Sequence, residues 1–268
     1  MSETTGIVGR LRAAGCVFAE READLIGAAF PDEADREAAV RRRVTGEPLE
    51  YVVGHAAFGE VDVEIGPGCF IPRARAVALV DAADQLVSDP DIAVLDLGCG
   101  AGPIAALLAR RHPTWQVHAS ELDETALAWA RRNAETFGFS VHAGSWWSAL
   151  PDRVCGRLDL VVAHLPYVPS DEVAMLPRDF RDHEDRRTVD GGSDGLDPLR
   201  SVTADAIEWL APDGLLLTQV THAQRPTSAL VAARAELVTE TVHDAGPPDD
   251  VDEDTVVLAL RPWAGGAR

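Results

Sequence analysis

The stretch VLDLGCGAG at residues 94–102 places three glycines, at 98, 100 and 102, between two apolar segments. The segment before them, IAVLDLG, has the pattern of a buried strand, and PIAALLARR after them has the pattern of a helix that begins at Pro103. Glycine allows a tight turn and a close approach of ligand to backbone. The first turn of the helix offers free N–H groups to a carboxylate or phosphate. The stretch therefore predicts a strand, a ligand-binding turn and a helix.

The sequence after this turn continues the alternation of strands and helices. Because strands and helices alternate at this spacing, the fold class is predicted to be α/β, with a mainly parallel sheet covered on both faces. Ligands of such sheets bind at the carboxyl ends of the strands. The long polar segment 170–197 is predicted to cover that site. The further strands are WQVHASE (115–121), SVHAGS (140–145), LDLVVAH (158–164), APDGLLLTQV (211–220) and TVVLALRP (255–262), with a helix at 123–138.

The first 71 residues differ from the rest. Helical spacing of apolar residues predicts a small helical unit over residues 1–48, with a helix start at Pro31 and Asp32. Residues 49–71 are predicted to form a β-hairpin, because LEYVVG and EVDVEIG both alternate as strands do. The α/β domain then covers residues 72–268.

Composition excludes several classes of function. The chain has 24 basic and 44 acidic residues and a net charge of −20, which disfavours a phosphate backbone as partner. Its four cysteines form no Cys-x-x-Cys pair, so we expect no metal site. No apolar stretch has the length of a membrane span. We expect a cytoplasmic protein without a membrane or nucleic-acid partner.

Two acidic residues lie where strands end beside the glycine turn. Asp96 precedes the first glycine by two residues, where a carboxylate suits a cationic ligand. Glu121 ends the next strand, about 20 residues further on, where a carboxylate can accept two ribose hydroxyls.

The combination of DLGCGAG and Glu121 resembles the S-adenosylmethionine site of class I methyltransferases. The resemblance implies a Rossmann-like, mainly parallel sheet with an antiparallel C-terminal strand. It places Asp96 near the amino-acid part of the cofactor and Glu121 on its ribose. Ser145 and Trp146 would lie at the adenine, whereas Trp147 is expected in the core. The residues implied around the carboxylate side of the cofactor are Gly98, Cys99, Gly100, Ala101 and Gly102.

Three further segments extend the resemblance over nearly the whole chain. They are TGEPLEYVVGHAAFGEVDVEIGPGCFIPR (45–73), HLPY (164–167) and HEDRRTVDGGSDGLDPLR (183–200). Together they are similar to the HemK/PrmC-type protein-glutamine methyltransferases. That family methylates the side-chain amide nitrogen of a glutamine in the Gly-Gly-Gln loop of translation release factors. The resemblance also implies that the helical unit helps to hold the protein substrate.

The chain departs from this family where the acceptor would bind. The family has Asn-Pro-Pro-Tyr, and this chain has His164, Leu165, Pro166 and Tyr167. We expect the Leu165 carbonyl to accept an N–H of the acceptor and the Tyr167 ring to pack against it. Arg73 is expected on the same substrate side.

His164 leaves three roles open. A neutral imidazole accepts one N–H bond, and its ordinary pKa near 6.5 would also let it act as a base. The third reading is that His164 is only a packing substitution, in a site that tolerates it or is no longer active. The resemblance implies that His164 and Tyr167 are the catalytic residues and that His164 also borders the cofactor. The alternatives to a protein glutamine are therefore a small-molecule acceptor, with His164 as base or orienting group, and a cofactor-binding protein without turnover.

Overall fold

The computed structural model describes residues 3–176, 178–245 and 255–263. The chain begins with a helical unit, as predicted. Its helices pack around a small core of their own that contains Leu11, Ile26 and Val40. The Asp32 side chain accepts the N–H groups of Ala34 and Asp35 and so caps the third helix. The four helices are α1 (Glu3–Ala13), α2 (Ala19–Ala29), α3 (Glu33–Val44) and α4 (Leu49–Val53).

The predicted strand at LEYVVG is wrong, because this segment forms α4. The hairpin lies later, with β1 (His55–Phe58) paired antiparallel to β2 (Val61–Glu64). Gly54 has φ +82° and ends α4 in the left-handed conformation. Val52 is buried in the helical core, and the Tyr51 hydroxyl donates to the Cys69 carbonyl. The segment is too short for its apolar periodicity to distinguish a strand from a helix. Tertiary contacts of its side chains determine its secondary structure instead.

The main sheet has seven strands in the order β5-β4-β3-β6-β7-β9-β8. Every pairing from β5 to β7 is parallel, and β9 is antiparallel to both its neighbours. The predicted α/β class and the antiparallel last strand are confirmed. The strands are β3 (Ala93–Leu97), β4 (Gln116–Glu121), β5 (Ser140–Ala143), β6 (Leu158–Ala163), β7 (Leu210–Thr221), β8 (Leu237–Ala245) and β9 (Thr255–Pro262).

Alternate residues of each central strand face two separate cores. Val94 of β3 packs with α5, α6 and α7 on one face, and Leu95 packs with α9 and α10 on the other. The helices are α5 (Val77–Leu86), α6 (Pro103–Arg111), α7 (Glu124–Phe137), α8 (Arg178–His183), α9 (Asp197–Trp209) and α10 (Arg225–Arg234). No helix within the described residues is long and apolar enough to span a bilayer.

The strand order sets the position of the site. β3 lies between β4 on one side and β6 on the other, so the connections from β3 and from β5 leave in opposite directions. A crevice forms at the carboxyl ends of strands at such a reversal. The glycine turn follows β3, Glu121 ends β4, and His164 follows β6 directly. The topology therefore brings these three sequence signals to one edge of the sheet.

Candidate active site

One cavity of about 660 Å³ lies at this edge. It is bordered by the glycine turn, the ends of β4 and β6, the segment that follows the hairpin, and part of the predicted cover, including Glu172 and Val189. Gly102 is the one residue of the predicted site that does not line it. The predicted site residues that do line it are Arg73, Asp96, Gly98, Cys99, Gly100, Ala101, Glu121, Ser145, Trp146, His164, Leu165, Pro166 and Tyr167.

The Glu121 carboxylate is fixed by three backbone N–H groups. Its Oε2 accepts from Gly100 at 2.8 Å, and its Oε1 accepts from Leu122 at 2.7 Å and Asp123 at 2.9 Å. Such hydrogen bonds hold the side chain in one orientation. The side chain thus couples the end of β4 to the glycine turn while it lines the cavity.

The three glycines of the turn share a left-handed backbone but differ in their surroundings. Gly98, Gly100 and Gly102 all have positive φ, at +76°, +57° and +82°. A Cβ on Gly98 would lie 3.0 Å from the Trp146 ring, and one on Gly102 would lie 2.7 Å from the Phe139 ring. Apart from Gly100 and its two chain neighbours, no described residue has a heavy atom within 4 Å of the place where a Cβ on Gly100 would be. Gly100 therefore faces open cavity, whereas Gly102 leaves room for the ring of Phe139, which follows α7.

Asp96 is a buried carboxyl group, 1% exposed, that still reaches the cavity. Its Oδ2 accepts the Ala105 N–H at 2.9 Å, in the first turn of α6. Burial raises the pKa of Asp96 to about 7, because the charged form loses its hydration. A cation bound beside it would favour the ionised form and lower this pKa again.

Apolar groups face the cavity on the Glu121 side. Trp146 has φ +45°, a strained value for a bulky residue, and its ring packs over Gly98. Trp147 points the other way and is a core residue whose Nε1 donates to the Val202 carbonyl at 3.0 Å. Leu122 is 60% exposed and lines the cavity. Sequence reasoning missed Leu122, although its position directly after Glu121 was a usable signal.

His164 is enclosed by aromatic rings and carries a buried nitrogen atom. Its ring centroid lies 6.1 Å from that of Phe70 and 6.0 Å from that of Tyr167. The Nε2 atom is buried and has no hydrogen-bond partner among the described residues. Burial, together with the charges of Arg75 and Arg73, lowers the pKa of His164 to about 4. The imidazole is therefore neutral at physiological pH.

The predicted cover segment holds the strand end from behind. Gln224 Nε2 donates to the Tyr167 carbonyl at 2.7 Å and to the Asp194 carbonyl at 3.1 Å. Val168 pairs with residues 189–191 in both directions, at 3.0 and 2.8 Å. Gly195 has φ +75°, and a Cβ there would overlap the Tyr167 carbonyl and the Gln224 side chain. The GGSDGL run is thus a packing element of the site.

Arg73 lines the cavity, but its guanidinium is already engaged. Its Nη2 lies 2.6 and 2.7 Å from the two carboxylate oxygens of Glu184. Its Cζ lies 4.6 Å from the centre of the Phe70 ring. Sequence reasoning named neither Glu184 nor Phe70 as site residues, although both lie in the segments that carry the family resemblance.

No cluster of three or more His, Cys, Asp or Glu side chains that could hold a metal ion is found in the described part of the chain. Among the described residues, the cavity is lined by backbone N–H groups, several carboxyl and guanidinium groups, aromatic and apolar surfaces and the neutral imidazole of His164.

Comparison with known proteins gives this site a family. Residues 78–178 match the model of the methyltransferase small domain. A release factor glutamine methyltransferase of Gloeobacter violaceus is 41% identical over 211 residues, which cover 75% of this chain and 73% of that protein. One of Streptomyces coelicolor is 37% identical over 183 residues, 67% of this chain and 65% of that protein.

A solved structure supports the fold. The crystal structure of a methyltransferase from Pyrococcus furiosus aligns with a TM-score of 0.56 at 14% identity, over 85% of this chain and 99% of that one. This likeness agrees with the class I methyltransferase sheet predicted from the glycine turn. The sequence identity to the curated relatives goes further than the fold, and by it the chain is an enzyme that belongs to the release factor glutamine methyltransferase family.

Proposed function

We propose that the protein transfers a methyl group from S-adenosylmethionine to the side-chain amide nitrogen of a glutamine in a translation release factor. One observation carries the proposal. The strand end His164–Tyr167 closes the same cavity that Glu121 and the glycine turn open. This strand end, here called the acceptor wall, and the glycine turn with Glu121, here called the cofactor side, therefore border the same cavity. The relatives are named for this reaction.

The residues on the cofactor side fit S-adenosylmethionine. The open space at Gly100 admits a ligand close to the backbone, and the fixed Glu121 carboxylate offers acceptors to a pair of hydroxyls. Asp96 has a buried carboxyl group beside this space, which a ligand ammonium would complement. Leu122 and Trp146 provide apolar surfaces on the Glu121 side for a flat base.

We assign Glu121 to the ribose, Asp96 to the ammonium of the amino-acid part, and Gly98–Ala101 to its carboxylate side. Ser145 and Trp146 border the adenine. When bound, the cofactor supplies a methyl group on a positively charged sulfur. The protein's task is then to hold the acceptor nitrogen in line with that methyl group, because an amide nitrogen is a poor nucleophile.

His164 and Leu165 are the groups that orient the acceptor. The buried Nε2 atom of His164 accepts one N–H of the glutamine amide, and the Leu165 carbonyl accepts the other. This contact would satisfy a nitrogen that is otherwise buried without a partner. The Tyr167 ring packs against the flat amide. Gln224 donates a hydrogen bond to the backbone carbonyl of Tyr167 and so holds this residue in place.

The low pKa of His164 distinguishes between its possible roles. A neutral imidazole with a pKa of about 4 is a poor base toward an ammonium or a hydroxyl, which argues against acceptors that must lose a proton before transfer. An amide nitrogen loses its proton after the N–C bond has formed and the C–S bond has broken. A nitrogen-protonated amide is a strong acid, so Nε2 remains basic enough to receive that proton.

The helical unit over residues 1–48 is assigned to the recognition of the protein substrate. Val17 and Phe18, between α1 and α2, are 83% and 69% exposed, which gives this unit an adjacent pair of apolar side chains at its surface. The segment 49–71, which contains α4 and the β1–β2 hairpin, joins it to the methyltransferase domain. A release factor as acceptor places the enzyme in the cytoplasm, and the net charge of −20 favours a protein over a nucleic acid as substrate.

The test is methyl transfer from labelled S-adenosylmethionine to a purified release factor. A second release factor carries alanine in place of the glutamine of its Gly-Gly-Gln loop, and an RNA fraction and a host small-molecule extract are assayed in parallel. We expect label in the first release factor alone. Label in the alanine variant would overturn the assigned residue, and label only in the RNA or the extract would overturn the acceptor class.

A further inference from the structure

Glu184 lies behind the acceptor wall and does not line the cavity. Its side chain is 2% exposed. Both of its carboxylate oxygens accept hydrogen bonds from Arg73, which lies 111 residues earlier in the sequence. One of these oxygens also accepts the Ile71 N–H at 3.3 Å. Both Glu184 oxygens are therefore committed to the segment that follows the hairpin.

Arg73 connects Glu184 to the residues that line the cavity. Its guanidinium is bound to Glu184 and lies over the Phe70 ring, with 4.6 Å between Cζ and the ring centre. At this separation a cation is attracted to the face of an aromatic ring. Phe70 in turn is 6.1 Å from His164 between ring centroids, at an interplanar angle of 59°. A continuous series of contacts thus runs from Glu184 to His164.

The ion pair is needed because both charges are poorly hydrated. Burial lowers the pKa of Arg73 and raises that of Glu184, and each charge offsets part of this effect on the other. Without Glu184, the Arg73 guanidinium would be stabilised by turning toward water, and it would then leave the Phe70 ring. The Phe70 ring would then lose the contact that fixes its position against His164.

We propose that Glu184 is a positioning residue of the transfer reaction, which acts through Arg73 and Phe70 to hold the His164 ring in the orientation that the acceptor requires. Arg73 on this assignment supports the acceptor wall rather than binding the acceptor directly. The proposal rests on the proposed function only for the identity of the acceptor, because the contacts themselves exist without substrate.

The decisive measurement follows the His164 ring directly. The chain has eight histidines, and the imidazole resonance of His164 in an NMR spectrum is assigned by its loss in His164→Ala. Ring currents of Phe70 and Tyr167 make that resonance sensitive to the ring's orientation. We expect Glu184→Gln and Arg73→Lys, which leave the Phe70 and Tyr167 rings in place, to shift the His164 resonance and to leave those of His118 and His142 unchanged.

The matched control is Glu22→Gln. Glu22 forms a similarly enclosed ion pair with Arg43, at 2.7 Å and with side chains 11% and 12% exposed, but within the helical unit. It should lower thermal stability without moving the His164 resonance. An unchanged His164 resonance in both site variants, or the same shift in the Glu22 control, would overturn the proposal.

Kinetics provide the second readout. Glu184→Gln should lower kcat on the order of tenfold and leave the dissociation constant for S-adenosylmethionine within about twofold, because Glu184 does not border the cofactor side. A parallel loss of kcat and cofactor affinity would indicate general disorder of the site and contradict positioning. If the wild-type enzyme fails to methylate a release factor, the proposed function fails while the NMR result still decides the role of Glu184.

Discussion

The pKa of Asp96 predicts that cofactor binding depends on pH and releases a proton. In the free protein burial raises this pKa to about 7, whereas beside the ammonium of bound S-adenosylmethionine the carboxyl group should be ionised. Below the raised pKa, binding must first remove the proton from Asp96. Affinity should therefore weaken as the pH falls through 7, and the proton should appear in the solvent on binding.

The size of the effect follows from the titration of a single group. For a free pKa of about 7 and a much lower bound value, the dissociation constant should fall about fivefold from pH 6 to pH 7, roughly 1 kcal/mol. Binding should release about 0.9 proton at pH 6 and about 0.5 at pH 7. The ligand's own α-amino group titrates near 7.7–8.0 and stays mostly protonated over this range.

Isothermal titration calorimetry in buffers of different ionisation enthalpy measures both quantities. Asp96→Asn is the matched variant, because it keeps the size of the side chain and cannot titrate. It should bind more weakly at pH 7 and show neither the fivefold change nor the proton release. A wild-type affinity that is constant between pH 6 and pH 7, with no proton released, would refute the placement of Asp96 beside a cation.

Three further substitutions test other parts of the site. His164→Ala should lower kcat on the order of a hundredfold with cofactor affinity nearly unchanged, since it removes an acceptor of the reacting amide. With a pKa of about 4, wild-type His164 should add no step to the kcat profile between pH 6 and pH 9. Gly100→Leu should abolish cofactor binding measured by calorimetry, because the side chain would fill the open space and φ is +57°. Gly195→Ala should lower the free energy of unfolding in urea by about 1–3 kcal/mol and reduce kcat, because the new methyl group displaces the Tyr167 carbonyl.

One control serves both glycine variants. Gly27 lies within α2 with no heavy atom near the position of an added Cβ, so Gly27→Ala should bind cofactor normally and be slightly more stable. Full cofactor affinity in Gly100→Leu would place the ligand elsewhere. Wild-type kcat in Gly195→Ala would separate the GGSDGL run from the acceptor wall, and wild-type kcat in His164→Ala would remove His164 from the reaction.

The central strands could be predicted because they are buried on both faces and therefore continuously apolar. IAVLDLG became β3 (Ala93–Leu97), and WQVHASE became β4 (Gln116–Glu121). The strand β8 (Leu237–Ala245) was missed for the opposite reason. It is the edge strand, and its sequence LVTETVHDA has neither a continuous apolar run nor a regular alternation of apolar and polar residues.

The sequence also allowed the residues predicted for the cofactor side to be placed at one edge of the sheet. A glycine turn, a strand-end carboxylate and their spacing are local features, and the sheet topology alone brings them together. The acceptor side depends on contacts between distant segments. The partner of Arg73 lies 111 residues away in the sequence. No rule of residue spacing predicts a contact across so long a segment. The pKa of His164 is likewise set by burial and by two arginines, which its sequence neighbours do not reveal.

Burial also explains how a histidine can replace the asparagine that the family carries at this strand end. An asparagine presents an uncharged carbonyl oxygen to the acceptor amide. An imidazole with an ordinary pKa near 6.5 would be partly cationic at neutral pH, and its Nε2 would then donate rather than accept. With a pKa of about 4, the ring at position 164 keeps an uncharged acceptor throughout the physiological range. In the proposed role of His164, burial and the charges of Arg75 and Arg73 therefore keep an uncharged acceptor where the family has an amide oxygen, and a glutamine substrate remains compatible with the altered residue.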